Sequence, residues 1–483
     1  MRSSRAAISL FVGGLTNRRR HGRQPVRLQC SYSIRDLHFR NSDPPLLNPE
    51  GMVHLALNAT PSRRLWICAL AVAVFLPLAL VPRAEGQTTR IDLDQAIQLA
   101  LAHNHALQAE RTLILQNQAQ EVTANLRPNP TVDLNTQYVP IFSPQDFSLD
   151  NLNTSEEYDL GIGYLFERGH KRKRRLQAAQ DQTAVTRAQF EDAERTLTFN
   201  VAQQFIAVLL AESTLQFAQQ DLKGFGQTVG LAQTQYQSGY ISEGDYLKIK
   251  LQLLQFQTDV SSSRLARVEA LIALRQSLGY DAVPADYDVM GTLAYVPVKK
   301  QLDDLEAEAL KNRPDLHASE LGITAARSQI LLAKANGKQD VTGGFTYTHT
   351  AAENSNGISV SIPWALFNRN QGEIARTRYA LTQAEQAKMA ASDQVLSDVA
   401  DAYNSLRSNG EVVRLYSSGY LKQAQDSRDI SQYAYKRGAV SLLDFLDAER
   451  SYRAVQFAYR EALSSYMTSL EQLKEAVGTR SLP

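Results

Sequence analysis

Proline is missing from the 139 residues between Pro144 and Pro284, and again from the 119 between Pro363 and Pro483. A proline inside a helix costs on the order of 3 kcal/mol, so exclusion over such lengths predicts continuous helix. Cysteine is scarcer still: Cys30 and Cys68 are the two in 483 residues, and both precede residue 87. Beyond that point the chain has neither a disulfide nor a thiolate, which excludes thiolate metal sites and cysteine nucleophiles. Methionine past residue 87 is confined to Met290, Met389 and Met467, so there is no methionine ladder for soft metals. His103 and His105 are two apart on a helix, point to different sides and have no third ligand near them in sequence. An HExxH, a phosphate-binding glycine loop and a nucleophile elbow are also missing. No cofactor site and no class of enzyme is supported.

The features that are present begin with an apolar run, Leu65 to Val81, preceded by Arg63 and Arg64 and followed by Ala84, Glu85 and Gly86. Basic, apolar and small-residue zones in that order predict a secretory signal over residues 52–86, cut before Gln87. The competing reading is a membrane anchor, because the run approaches the lower limit for a spanning helix, about 17 residues. Pro77 and Pro82 weigh against it. Signals begin near a chain start, so Met52 reads as the initiator and residues 1–51 as a non-native extension. Cys68 lacks a convincing lipidation context. Residues 1–86 hold 12 of the 51 bases and 4 of the 50 acids, which leaves 39 bases against 46 acids and a net charge of −7 rather than +1. In an exported acidic chain the basic run His170 to Arg175 does not read as a nucleic-acid site. It reads as a solvated helix face beside anionic head groups.

The rest of the chain is one unit written twice. LDQAIQLALAHNHALQ from Leu93 aligns with LDDLEAEALKNRPDLH from Leu302 at an offset of 209, which continues without a gap through Gln120/Gln329, Ala124/Ala333, Val132/Val341 and Tyr138/Tyr347. Further on, YQSGYISEGDYLK from Tyr236 answers YKRGAVSLLDFLD from Tyr435. A repeat of about 190 residues is too long for a solenoid, whose periods run roughly 20 to 50. Residues 87–284 and 302–483 are read as the two repeats and 285–301 as the linker. Each half is predicted to hold one very long helix. In the first, Leu176, Thr183, Phe190 and Leu197 keep a seven-residue beat that resumes eleven residues later at Val208, Leu215, Leu222, Val229 and Tyr236. Heptads joined by an eleven-residue step describe a locally unwound supercoil. Shorter helices are expected over Leu93 to Leu126 and Leu302 to Asn336, and return helices over Ser242 to Leu278 and Ser441 to Val477.

Between the helices the period switches to two. Strands are expected at about 131–142, 156–166, 340–350 and 357–367. Val132, Leu134, Tyr138 and Phe142 mark one face of the first, Tyr158 to Phe166 of the second, Val341, Phe345 and Tyr347 of the third, and Ile358, Val360, Ile362, Trp364 and Leu366 of the fourth. Small or polar residues fill the opposite faces. A half-buried soluble sheet allows the same alternation, but strands of about ten residues behind a secretion signal fit a transmembrane β-barrel. Four strands cannot close a pore, so a spanning chain has to oligomerise. The polar stretches Ser143 to Ser155 and Ala351 to Asn356 are expected as outer connections.

The paired repeats, ALKNRPDL at Ala309 to Leu316, PWALFNRNQGEIARTR at Pro363 to Arg378 and YKRGAVSLLDFLDAER at Tyr435 to Arg450 together resemble the TolC family of outer membrane efflux proteins. LFNRNQG at Leu366 to Gly372 looks most like its CzcC-type branch, which serves heavy-metal efflux. The resemblance implies an α+β membrane protein. In a homotrimer, twelve strands would form one β-barrel in outer membrane lipid, and long antiparallel coiled-coil helices would continue it as an α-barrel across the periplasm. It also implies a periplasmic adaptor (membrane fusion) protein and an inner membrane pump of the resistance-nodulation-division type. Asp444 and Asp447 match the acidic pore gate at the periplasmic tips, and Asp245 and Tyr435 match positions that link neighbouring coiled coils when the tip is shut. Val440 stands where the best-known members carry a basic residue, so fewer polar links hold the closed state. Export of drugs, solvents or secreted peptides through the same duct is the alternative cargo. A periplasmic coiled-coil scaffold without a pore is the alternative class, and it has no use for strands with an aromatic face.

Overall fold

The computed structural model describes residues 89–137, 157–351 and 353–482. The expected signal, the extension before it, Tyr138, Phe142 and the stretch Ser143 to Ser155 lie outside them. Along the described chain run β1 (Arg90–Ile91), α1 (Leu93–His103), α2 (His105–Asn125), β2 (Thr131–Gln137), β3 (Glu157–Phe166), α3 (Lys171–Gln237) and α4 (Glu243–Leu278). They are followed by β4 (Asp288–Val289), α5 (Leu302–Asn312), α6 (Pro314–Asn336), β5 (Val341–Thr350), β6 (Glu353–Ser361), α7 (Gln371–Leu415), α8 (Leu421–Lys436) and α9 (Leu442–Val477).

The 67 residues of α3 make a rod roughly 100 Å long at 1.5 Å per residue. One stretch of α3 is apolar enough to cross a bilayer by length and composition, but 56% of that stretch is buried inside the protein. Its apolar residues serve helix packing: Val201, Phe205 and Val208 meet Ile97 of α1 and Leu274 of α4, and Phe225 meets Phe256 of α4 and Phe445 of α9. A separate core joins Leu305 of α5, Val395 and Val399 of α7 and Leu473 of α9. β1 pairs in parallel with β4, which ties the start of the described chain to the segment between the halves.

The other four strands form an antiparallel sheet in the order β2-β3-β5-β6. Its register aligns the two kinds of side chain in rows. Val132, Ile162, Phe345 and Ile358 are successive partners on one face, and Thr131, Gly163, Gly344 and Ser359 on the other. The apolar row is exposed, with Val132 at 70% and Ile358 at 87% of full accessibility. A sheet with an apolar face outward and a small, polar face inward is built for lipid outside and water inside. Among the described strands, β2 and β6 each have one unpaired edge.

The structure corrects the sequence reading at five places. The helix expected over Leu93 to Leu126 breaks at Asn104, which ends α1 and begins α2; its side chain accepts from Leu107 N and donates to Ser277 O. The helix over Leu302 to Asn336 breaks likewise at Arg313, while Pro314, which the sequence places well for a first helical turn, does open α6 and leaves one backbone N–H the fewer to satisfy. The long helix of the second half is interrupted at Tyr416–Tyr420, because Gly419 adopts φ 139°. The fourth strand runs from Glu353 to Ser361, not 357–367, so Thr350 already pairs with Glu353 and no long outer connection follows β5. It stops there because Pro363 has no N–H for the ladder, leaving Ile362, Trp364, Leu366 and Phe367 exposed beyond the strand. Finally, the basic run is not wholly a solvated face. Lys171 pairs with Asp340 at 2.7 Å, and Arg175 pairs with Glu167 and donates to Leu126 O.

Candidate functional site

At the end remote from the sheet the chain turns twice, once between α3 and α4 and once between α8 and α9. Gly239 (φ 76°) and Gly438 (φ 73°) make these turns in the left-handed region, where a side chain is strained. A serine then caps each return helix. Ser242 Oγ accepts from Asp245 N at 3.1 Å, and Ser441 Oγ accepts from Asp444 N at 3.2 Å. The carboxylates answer: Ser242 Oγ donates to Asp245 Oδ2 at 3.0 Å, and Ser441 Oγ to Asp444 Oδ2 at 2.7 Å. Such capping is worth about 1 kcal/mol.

Asp444 therefore has a local structural task, and Asp447 a weak one, its pair with Arg450 at 3.6 Å. Both are nonetheless exposed on one face of α9, while Leu442, Phe445 and Glu449 are buried on the opposite side. Two carboxylates a turn apart, facing out of the protomer, can concentrate cations when copies gather round an axis.

Tyr435 and Asp245 line a common cavity of about 620 Å³ with Gln235, Arg437 and Val440. No hydrogen bond joins the pair. Tyr435 is buried, stacks on Phe445 at 5.3 Å, and its Oη has no hydrogen-bond partner among the described residues. Burial raises its pKa above the ordinary value, and the charge of Asp245 adds to the rise. Val440 packs against the apolar tip core of Phe225, Phe256, Tyr435 and Phe445. Where a basic residue would make a polar link, this chain has apolar contact.

Sequence reasoning missed a buried charge cluster on the other side of that core. Arg453 of α9 donates through Nε to Asp221 Oδ2 of α3 at 2.6 Å and through Nη2 to Asp259 of α4. Its guanidinium lies 4.1 Å over the Phe256 ring. Glu449, one turn earlier, is 5% exposed and Asp221 7%. A signal existed: Glu449 follows Leu442 by seven and Phe445 by four, so it occupies the apolar stripe of α9.

The α4 helix also carries an apolar stripe left exposed among the described residues. Leu247, Leu251 and Leu254, and eleven residues on Leu265, Val268 and Ile272, are all exposed, and within each group they recur at the three- and four-residue steps of a coiled-coil seam.

Residues 96–280 and 305–479 both match the family described as outer membrane efflux protein. The chain belongs to that family. It is an outer membrane efflux channel reaching into the periplasm, and not an enzyme. Among its relatives is the cobalt-zinc-cadmium resistance protein CzcC of Cupriavidus metallidurans, 21% identical over 430 residues, which cover 86% of this chain and 100% of that one. Another is the pyoverdine export outer membrane protein OpmQ of Pseudomonas putida, 23% identical over 409 residues, 80% of this chain and 86% of that one. Of solved structures, CusC superposes with a TM-score of 0.66 at 20% identity, covering 83% of this chain and 96% of that chain. The fold is that of the TolC-like channels, with long helices beneath a transmembrane sheet.

Proposed function

We propose that three copies of this chain form the exit duct of a tripartite, proton-driven efflux system that carries heavy-metal cations across the outer membrane. The duct works with a periplasmic adaptor protein and an inner membrane pump of the resistance-nodulation-division type. Two open sheet edges and the exposed α4 stripe support the assembly: β6 of one copy pairs with β2 of the next, and the α4 seam closes against a neighbouring coiled coil. Three sheets of four strands give twelve, enough to close a pore. The two halves, 87–284 and 302–483, supply equivalent staves on either side of the linker 285–301, following removal of the signal over 52–86.

The observation that carries the metal reading is the alignment with CzcC along that protein's entire length. The acidic gate fits the same cargo, since Asp444 and Asp447 from three copies put six carboxylates in one constriction. Asp245 and Tyr435 hold the tip shut by meeting a neighbouring hairpin. Deleting the gene is expected to sensitise the host to cobalt, zinc and cadmium, with sensitivity reversed by the gene in trans. Unchanged metal tolerance alongside retention of an organic product would favour the second reading, export of a small organic molecule, which the similarity to OpmQ supports.

A further inference from the structure

Arg453 joins the two hairpins of one protomer. It sits on α9 of the α8/α9 hairpin, and both its carboxylate partners, Asp221 and Asp259, belong to the α3/α4 hairpin. Their separations in sequence are 232 and 194 residues, so this is a charged strap that adds to the apolar tip core of Phe225, Phe256 and Phe445 in joining the two hairpins. The tip turns beyond it cannot splay apart while the strap holds. Into the same buried space α9 places a third carboxyl, Glu449, in hydrogen-bonding contact with Asp221. Two carboxylates this close cannot both be ionised without repulsion, and burial sharpens the conflict.

The charges facing Glu449 come from every packed helix. α3 supplies Asp221, α4 supplies Asp259 through Arg453, and α9 itself supplies Arg453 and Tyr452. α8 supplies Arg428, whose guanidinium lies 4.3 Å over the Tyr452 ring and pairs with Asp429 at 2.8 Å. Three carboxylates thus compete for two guanidiniums, one of which, Arg428, Asp429 already shares. The surplus negative charge is relieved when Glu449 carries a proton and donates it to Asp221.

We propose that Glu449 is a proton-operated latch: protonated, it lets Arg453 strap the α8/α9 hairpin to the α3/α4 hairpin, and ionised, it repels Asp221 and loosens the strap. The tip then relaxes open as the surrounding pH rises through neutrality and tightens in acid. The cluster lies on the core side of the tip, away from the exposed Asp444 and Asp447 and from the Asp245–Tyr435 cavity, and acts within a single protomer. As a device for gating it rests on the channel reading given above; as a strap it does not.

Burial first, and then the Asp221 charge, push the Glu449 carboxyl from its ordinary 4.5 up to about 7. A raised carboxyl pKa stabilises the packed form fully below the ordinary value, and that stability is lost as pH rises through the raised one. If Glu449 returns to 4.5 on opening, the open population grows about tenfold between pH 6 and pH 8.

The test is hydrogen exchange by mass spectrometry on the full chain in detergent, following peptides over residues 446–457 at pH 6 and pH 8. Rates are divided by the intrinsic chemical rate at each pH. Wild type is expected to lose about tenfold in protection between the two, whereas Glu449→Gln keeps its protection at both. Asp221→Asn, which removes the repelling charge instead, should also flatten the dependence. Arg453→Gln should be unprotected at either pH. No pH dependence in wild type, or equal dependence in wild type and both carboxyl variants, overturns the latch. Bilayer recordings on the same preparations separate the two ideas. Exchange that shifts as expected in a protein forming no pore at either pH leaves the latch standing and removes the channel reading.

Discussion

Asn104 and Arg313, 209 positions apart, do the same job in the two halves: each ends one helix and begins the next. They do it by different means. Asn104 caps with its side-chain amide, while Arg313 is a buried hub. The Arg313 guanidinium donates to Asp315 at 2.9 and 2.6 Å, to Asp398 of α7 at 2.9 Å and to Ala476 O of α9 at 3.2 Å. Asn104→Ala should therefore cost about 1 kcal/mol, the loss of a cap. Arg313→Ala should cost about 3 kcal/mol, because it strands two carboxylates and a carbonyl. Thermal unfolding followed by circular dichroism in detergent compares them, and equal costs would mean that the Arg313 hub adds nothing beyond its place in the chain.

The same hub sets a pH dependence. Burial acts to raise the Asp315 carboxyl, but the Arg313 hydrogen bonds and charge outweigh it and hold the pKa below the ordinary 3.8. A depressed carboxyl stabilises the fold above its unfolded pKa, and that contribution vanishes as pH falls through the folded one. Asp315→Asn should thus lower the melting temperature at neutral pH and converge with wild type as pH falls below the ordinary 3.8 and through the depressed pKa. A constant gap across that range would contradict the pairing.

On the sheet, Ile162→Arg and Ile358→Arg should each cost about 2 to 4 kcal/mol at mid-membrane depth. Gly163→Ser should be mild, because the atom in its way is the rotatable Thr131 Oγ1. Ile362→Arg, which the alternation alone would rank with Ile162, is expected to be tolerated better, since Ile362 lies past the end of β6. Recovery of assembled protein from outer membranes ranks the four. Equal tolerance at Ile162 and Gly163 would mean that neither face meets lipid.

Tyr435→Phe removes a hydroxyl with no hydrogen-bond partner among the described residues, so it should leave the unfolding temperature unchanged. With Asp245→Ala it should still raise conductance if, as proposed, the pair links hairpins of different copies at the shut tip. A fall in stability with no change in conductance would place the role of Tyr435 inside the protomer.

Periodicity made the strands and long helices legible, since lipid facing and heptad packing each repeat along the sequence. Where reading failed, a single atom or a distant partner decided the outcome. Ile362, Trp364 and Leu366 continue the alternation, yet the missing N–H of Pro363 ends β6. Nothing local distinguishes Asn104 from a polar residue inside a helix until Ser277 O accepts from it. Gly419 sits in a run with no proline and still breaks the helix. At the tips, the sequence marked Asp245, Asp444 and Asp447 through their motif. The strap at Arg453 stayed hidden because its partners lie 194 and 232 residues away. Only the placement of Glu449 on an apolar stripe hinted at it.

The central claim, a cation-attracting gate in a trimeric outer membrane duct, is tested most directly by single-channel recording of the Asp444→Asn, Asp447→Asn double variant beside wild type. Ser441 remains the N-cap of α9 and an asparagine at 444 can still accept from its backbone N–H, so the variant removes charge and keeps the helix start. Wild type is expected to be cation-selective and blocked by trivalent cations, with both properties reduced in the variant while the pore still conducts. Unaltered selectivity and block in the variant would contradict the gate.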